Sequence, residues 1–119
     1  MMQAKDAVGA YGERVAARML VDIGMTIIAR NWRCSTGEID IVAKEGATIV
    51  FCEVKTRRGD RFGIPAEAVT PEKVRRLRAL AATWLTIHPE HRGEVRFDLV
   101  SVRPQPTGPA RVEHLRAVF

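Results

Sequence analysis

No apolar run in this 119-residue chain approaches the ~20 residues needed to cross a bilayer, so no membrane segment is expected. The opening MMQAKDAVGAYGERVAARML lacks the apolar block of a secretion signal. It reads instead as an amphipathic helix, and a soluble cytoplasmic protein is the expectation. Cysteine is scarce: Cys34 and Cys52 form no CxxC and join no Cys/His cluster of zinc spacing, so both read as plain reduced residues. His88, His91 and His114 are scattered and take no metal or catalytic role. Internal repeats and low-complexity tracts are absent. The one Pro-rich stretch, RPQPTGPAR, is short enough to be a loop.

Apolar residues make up 46% of the chain, too many for a disordered protein. A chain of this length buries roughly two-thirds of its unfolded surface, enough for a core without staples. One domain spanning residues 1–119 is therefore expected. Net charge is +5 and the pI is 9.9, which favours anionic partners, nucleic acid first and an acidic membrane surface second. The positive residues cluster in KTRRGDR and EKVRRLR.

A first helix is predicted from Lys5 to Ile23, with Val8, Tyr11, Val15, Met19 and Ile23 at helical spacing and Gly24 ending it. Glu13 falls at the border of that face. Strands are predicted at Thr26–Arg33, Glu38–Ala43 and Thr48–Lys55, the last two joined by a KEG turn as an antiparallel hairpin. DRFGIPAEAV reads as a loop. A second helix starts with Thr70 as N-cap and Pro71 in its first turn, burying Val74, Leu77, Ala81, Trp84 and Leu85. Lys73, Arg75, Arg76 and Arg78 lie off that face, and Pro89 follows the helix. EVRFDLVSV and ARVEHLRAVF complete the order α-β-β-β-α-β-β. The crossover helix makes the third and fourth strands parallel, giving a mixed sheet in an α/β domain.

Among the strand residues stand Glu38, Asp40, Glu53 and Lys55. Alternation puts Glu38 with Asp40 and Glu53 with Lys55. An even-length loop such as KEGA brings both pairs to one face, and a one-residue slip separates them. Crowded carboxylates resist ionising, and a divalent cation relieves them. Mg²⁺ (or Mn²⁺) takes carboxylate and carbonyl oxygens, here Asp40, Glu53 and the Val54 carbonyl. Lys55 is suited to orienting a water or neutralising charge on a phosphate, which makes a site for metal-assisted phosphodiester hydrolysis. The competing reading is a solvated hairpin face with cross-strand ion pairs. The strongly apolar flanks suit a covered sheet better.

Asp40 followed by EVK at Glu53–Lys55 resembles the split motif of the PD-(D/E)xK nuclease superfamily, which includes restriction enzymes and Holliday junction resolvases. The chain is similar over nearly its whole length to the YraN family of small bacterial endonuclease-like proteins. GAYGERVAARML, NWRCSTGEIDIVA, VFCEVKTR, AVTPEKVRRL and RFDLVSV carry that resemblance. Ile39 stands where the superfamily name has proline, and no ligand is lost. The resemblance implies a restriction-endonuclease-like αβββαβ core with an added C-terminal strand. It implies Mg²⁺ at Asp40 and Glu53, Lys55 assisting the water, and Glu13 brought from the first helix. Glu38 is a fainter candidate. Arg57, Lys73 and Arg76 become phosphate contacts by position, and Asp98 takes a structural salt bridge.

Three functions follow as expectations: a metal-dependent nuclease acting on DNA, a catalytically silent nucleic-acid-binding module, or an adaptor whose basic face meets an acidic protein. A homodimer would match the two-fold symmetry of a four-way junction, though no sequence feature marks an interface.

Overall fold

Consecutive strands lie side by side in one sheet. In the computed structural model, which describes residues 4–58 and 64–119 with side chains from Ala7 onward, the order is β1-β2-β3-β4-β5. The strands are β1 (Thr26–Cys34), β2 (Gly37–Glu45), β3 (Thr48–Thr56), β4 (Val95–Arg103) and β5 (Arg111–Leu115). Helix α1 (Ala4–Asp22) precedes β1, and α2 (Pro71–Ile87) crosses from β3 to β4. Only the β3–β4 pair is parallel, as a helical crossover requires. The αβββαβ core with an added strand is thus present. The Gly59–Arg61 end of KTRRGDR and the Asp60–Gly63 start of the expected loop lie outside the described residues. The rest of that loop contains a 3₁₀ turn, Pro65–Ala68. No described helix is long and apolar enough to cross a membrane.

β3 is buried on both faces, which is why its sequence is a near-continuous apolar run. Ile49 and Phe51 face Leu77, Leu80, Ala81 and Trp84 of α2. Val50 and Cys52 face Ala16, Ala17 and Leu20 of α1. Phe51 meets Trp84 edge-on at 5.7 Å and stacks on Phe97 at 5.6 Å. The Thr70 side chain accepts the Lys73 N–H at 3.2 Å, with Pro71 following it, so α2 starts where its cap residues predict. Leu80 joins the buried face, a residue outside the predicted set.

α1 seats differently from its predicted face. The buried residues are Gly12, Ala16, Ala17 and Leu20, with Tyr11, Val15 and Met19 half-buried at the flank and Ile23 46% exposed. Small side chains bring the helix axis close to the sheet, and large ones then pack around the contact. A Cβ on Gly12 would sit 1.6 Å from Thr56 Oγ1 and 2.7 Å from Thr56 Cβ. Gly12→Ala is expected to push α1 off β3 and cost about 1–3 kcal/mol, read from urea midpoints. An unchanged midpoint would mean the contact is looser than described.

The predicted last strand ends early. β5 stops at Leu115, and Ala117 takes a left-handed turn (φ 56) that returns the chain to the core. Val118 N–H donates to Phe97 O, Arg78 donates to Phe119 O at 2.7 Å, and the Phe119 side chain is buried. Beside this turn, fully buried Asp98 accepts two bonds from Arg96 (2.9 and 3.0 Å) and one from Ala117 N–H (3.0 Å), and His114 lies 2.8 Å away. Glu45 joins Arg96 to Arg116. Asp98 has the structural salt bridge expected of it.

Candidate active site

Strand β2 carries an irregularity at Asp40. Ile39 and Val42 both pack on the α2 side, whereas Ile41 and Ala43 pack on the α1 side. Simple alternation cannot do this, so the side chains change face between Ile39 and Ile41, although the β1–β2 register runs unbroken from Ala29–Val42 to Cys34–Gly37. On β1, Asn31 falls opposite Asp40, between the pairs Arg30–Ile41 and Trp32–Ile39. Its φ of 53° lies in the left-handed region, which asparagine tolerates better than most residues. The β2–β3 pairing runs from Glu45–Thr48 to Ile41–Cys52. Beyond it, Asp40 Oδ2 accepts the Val54 N–H at 2.8 Å. A side chain replaces the backbone ladder where the two strands part.

Three acids meet at that point. Carboxylate oxygens of Glu13 on α1 and of Glu38 and Asp40 on β2 all lie within 4.8 Å of one another. Burial pushes the Asp40 carboxyl up to about 7, and the charges of Glu13, Glu53 and Glu38 add to the rise against the Val54 N–H bond. Glu13 is raised too, chiefly by burial and then by Glu38. Its hydrogen bonds to Asn31 and Asp40 and the nearby Arg30 oppose that rise. Exposed Glu38 also pairs with Arg33 at 2.7 Å.

Glu53 and Lys55 form a second group. Glu53 is 7% exposed, and its Oε1 lies 3.0 Å from Arg76 on α2 and 3.6 Å from Lys55. Its Oε2 is buried with no hydrogen-bond partner among the described residues. The Lys73 ammonium on α2 is held below the ordinary lysine range, first by burial and then by the positive charges of Lys55 and Arg57. A cavity lined by Val8, Gly9, Glu13, Val54, Lys55 and Thr56 borders both groups.

The hairpin has the even length expected, with Gly46 and Ala47 between Glu45 and Thr48. Glu38 and Asp40 lie with Glu13, and Glu53 and Lys55 lie beside Arg76, the two groups bordering one cavity. Asp40 meets Glu13 on α1, whereas Glu53 meets Lys55 and Arg76 of α2. Val54 links the halves through its N–H, and the Asp40 carboxyl feels the Glu53 charge. Glu38, the faintest candidate, contributes an oxygen to the acid cluster. Asn31 was no candidate at all, although an asparagine inside an otherwise strand-like run marks a break in regular pairing.

A family model described as uncharacterised protein family UPF0102 matches residues 12–102. A UPF0102 protein of Beutenbergia cavernae is 58% identical over 117 residues, covering 98% of this chain and 99% of that one. A UPF0102 protein of Frankia alni is 57% identical over 118 residues, covering 99% and 98%. One from Streptomyces coelicolor is 54% identical over 119 residues, covering 98% and 92%. The matched span holds every acid and cation described at the site, and with this coverage the chain belongs to the UPF0102 family.

Proposed function

We propose that the protein is a metal-dependent nuclease of the PD-(D/E)xK type that hydrolyses phosphodiester bonds in DNA, with branched, Holliday junction-like, or damaged DNA as candidate substrates. The observation that carries this reading is the convergence of Glu13, Glu38 and Asp40 oxygens within 4.8 Å where β2 parts from β3. The donor set fits a hard divalent cation. Its oxygens are carboxylates, Asp40 resists ionisation up to about pH 7, and Glu53 keeps a buried oxygen without a partner among the described residues. Asp40 and Glu53 would hold Mg²⁺ or Mn²⁺, with the Val54 carbonyl as a neutral oxygen and Glu13 reaching in from α1. When bound, such an ion supplies charge that polarises a phosphate and acidifies a water.

The remaining work falls to the chain itself. The Val54 N–H fixes the Asp40 carboxylate. Lys55, beside Glu53, orients the water or neutralises charge growing on the phosphate. Arg57, Lys73 and Arg76 neutralise neighbouring phosphates, which makes binding fall steeply with salt.

Branched, duplex and single-stranded DNA incubated with the protein in Mg²⁺, Mn²⁺ or chelator test this. Cleavage is expected only with metal, and Asp40→Ala and Lys55→Ala are each expected to abolish it. A second reading, a silent nucleic-acid-binding module, draws on the Arg76–Glu53 ion pair, which already occupies one oxygen of a metal ligand. Salt-sensitive binding without cleavage of any substrate would select it.

A further inference from the structure

Glu53 holds cations from two different elements. Its Oε1 lies 3.6 Å from Lys55, a neighbour on the same strand, and 3.0 Å from Nη2 of Arg76 on α2. The Glu53 side chain is 9% exposed, that of Lys55 28% and that of Arg76 50%. The lysine is thus fixed by β3, whereas the arginine is the partner that a ligand can draw away. Glu53 Oε2 is buried with no hydrogen-bond partner among the described residues. Glu53 is also not part of the close group that Glu13, Glu38 and Asp40 form. A half-exposed guanidinium therefore pins this acid towards α2 by one oxygen while the other stays unused. A cation at that other oxygen would lie close to the guanidinium charge and be repelled by it. Arg76 and a metal ion compete for one carboxylate.

We propose that Arg76 is a positioning residue that ties metal binding to substrate binding: its grip on Glu53 weakens the metal centre, and a DNA phosphate that draws the guanidinium away releases the carboxylate to the ion. It rests on the nuclease reading for both the metal and the DNA. A guanidinium presents several N–H donors in a planar fork that suits phosphate oxygens, so Arg76 can exchange a carboxylate for a phosphate. Arg75, exposed beside it on α2, adds charge that attracts the same phosphate. Coupling of this kind is reciprocal, so the metal also tightens DNA binding. Competition weakens the ion without excluding it, and excess Mn²⁺ fills the site in the absence of DNA.

Mn²⁺ is the probe, titrated into the full chain without DNA and followed by paramagnetic broadening of the Asp40 and Val54 amides. Arg76→Gln removes the competing charge and should tighten Mn²⁺ binding about tenfold. Arg76→Lys keeps the charge and should bind about as weakly as wild type. A brace that only supports the fold would lower the urea midpoint of Arg76→Gln without tightening the metal. Mn²⁺ affinity unchanged or weaker in Arg76→Gln overturns the proposal.

A second measurement needs no variant. A short DNA duplex added to wild type in chelator should shift the Arg76 guanidinium resonances and the Glu53 carboxylate carbon together, as the pair opens. Should Arg76→Gln fail to fold, this measurement decides, and a Glu53 signal that stays in place with DNA bound overturns the coupling. Tighter Mn²⁺ binding in Arg76→Gln, in a protein that never cuts DNA, keeps the competition at Glu53 and rejects the nuclease. Metal-dependent cleavage with Mn²⁺ affinity indifferent to Arg76 does the reverse.

Discussion

Asp40→Asn is expected to yield a protein more stable than wild type near pH 8 and inert towards DNA. Burial and three neighbouring carboxylates raise the Asp40 carboxyl from 3.8 to about 7. A raised acid pKa means that the folded state holds the proton more tightly than the unfolded one. Wild-type stability from this group is therefore full below 3.8 and is lost as pH climbs through about 7. A shift of about three units corresponds to roughly 4 kcal/mol at most, and water reaching this half-buried group lowers it, so about 2–4 kcal/mol is expected. Asparagine carries no charge and still offers an oxygen to the Val54 N–H, so the variant escapes the penalty. Urea midpoints should separate the two proteins most at about pH 8 and progressively less as pH falls towards 4. Equal midpoints at high pH would show that the acids do not strain one another. Mg²⁺ at about 100 times its Kd should stabilise wild type by about 2.7 kcal/mol and leave Asp40→Asn unmoved.

Asp98→Ala should act in the opposite sense and cost about 3 kcal/mol, because it breaks a buried ion pair and leaves Arg96 only its bond to Glu45 among the described residues. Arg96 is 20% exposed and directs two N–H bonds to Asp98. Burial alone would raise the Asp98 pKa, but the bonds with His114, Arg96 and the Ala117 N–H hold it down at about 2. A depressed acid pKa contributes stability that is present above 3.8 and disappears as pH falls through about 2. Wild type should therefore lose its margin over Asp98→Ala in strong acid. Thermal melts from neutral pH down to about pH 2 check this. Loss of the Ala117 N–H bond should also loosen the turn that seats Phe119, seen as faster amide exchange at Val118. A variant as stable as wild type would show that the buried network gives no net stability.

The strands and the parallel crossover were legible because alternation, the Gly46 turn and the Thr70–Pro71 cap are local signals. The seating of α1 was not. Periodicity draws attention to large apolar residues, whereas the contact is made by small ones, above all Gly12, whose smallness matters only against Thr56. The acids were legible one by one, but their grouping was not. A two-residue period carries Asp40 to the face of Glu53 only where alternation is regular, and it breaks where Asn31, with its left-handed backbone, stands opposite Asp40. Asp98 was readable as an ion-pair partner. His114 was not, since sixteen residues and a strand connection separate the two.

Crystals soaked in Mn²⁺ test the metal centre most directly, through the anomalous signal of the ion. A peak contacting Asp40 and the free Glu53 oxygen, with Glu13 alongside and absent from Asp40→Asn crystals, is the expected result. Density elsewhere on the surface, or none while Glu53 stays locked to Arg76, would contradict a metal-dependent nuclease and leave a basic nucleic-acid-binding scaffold.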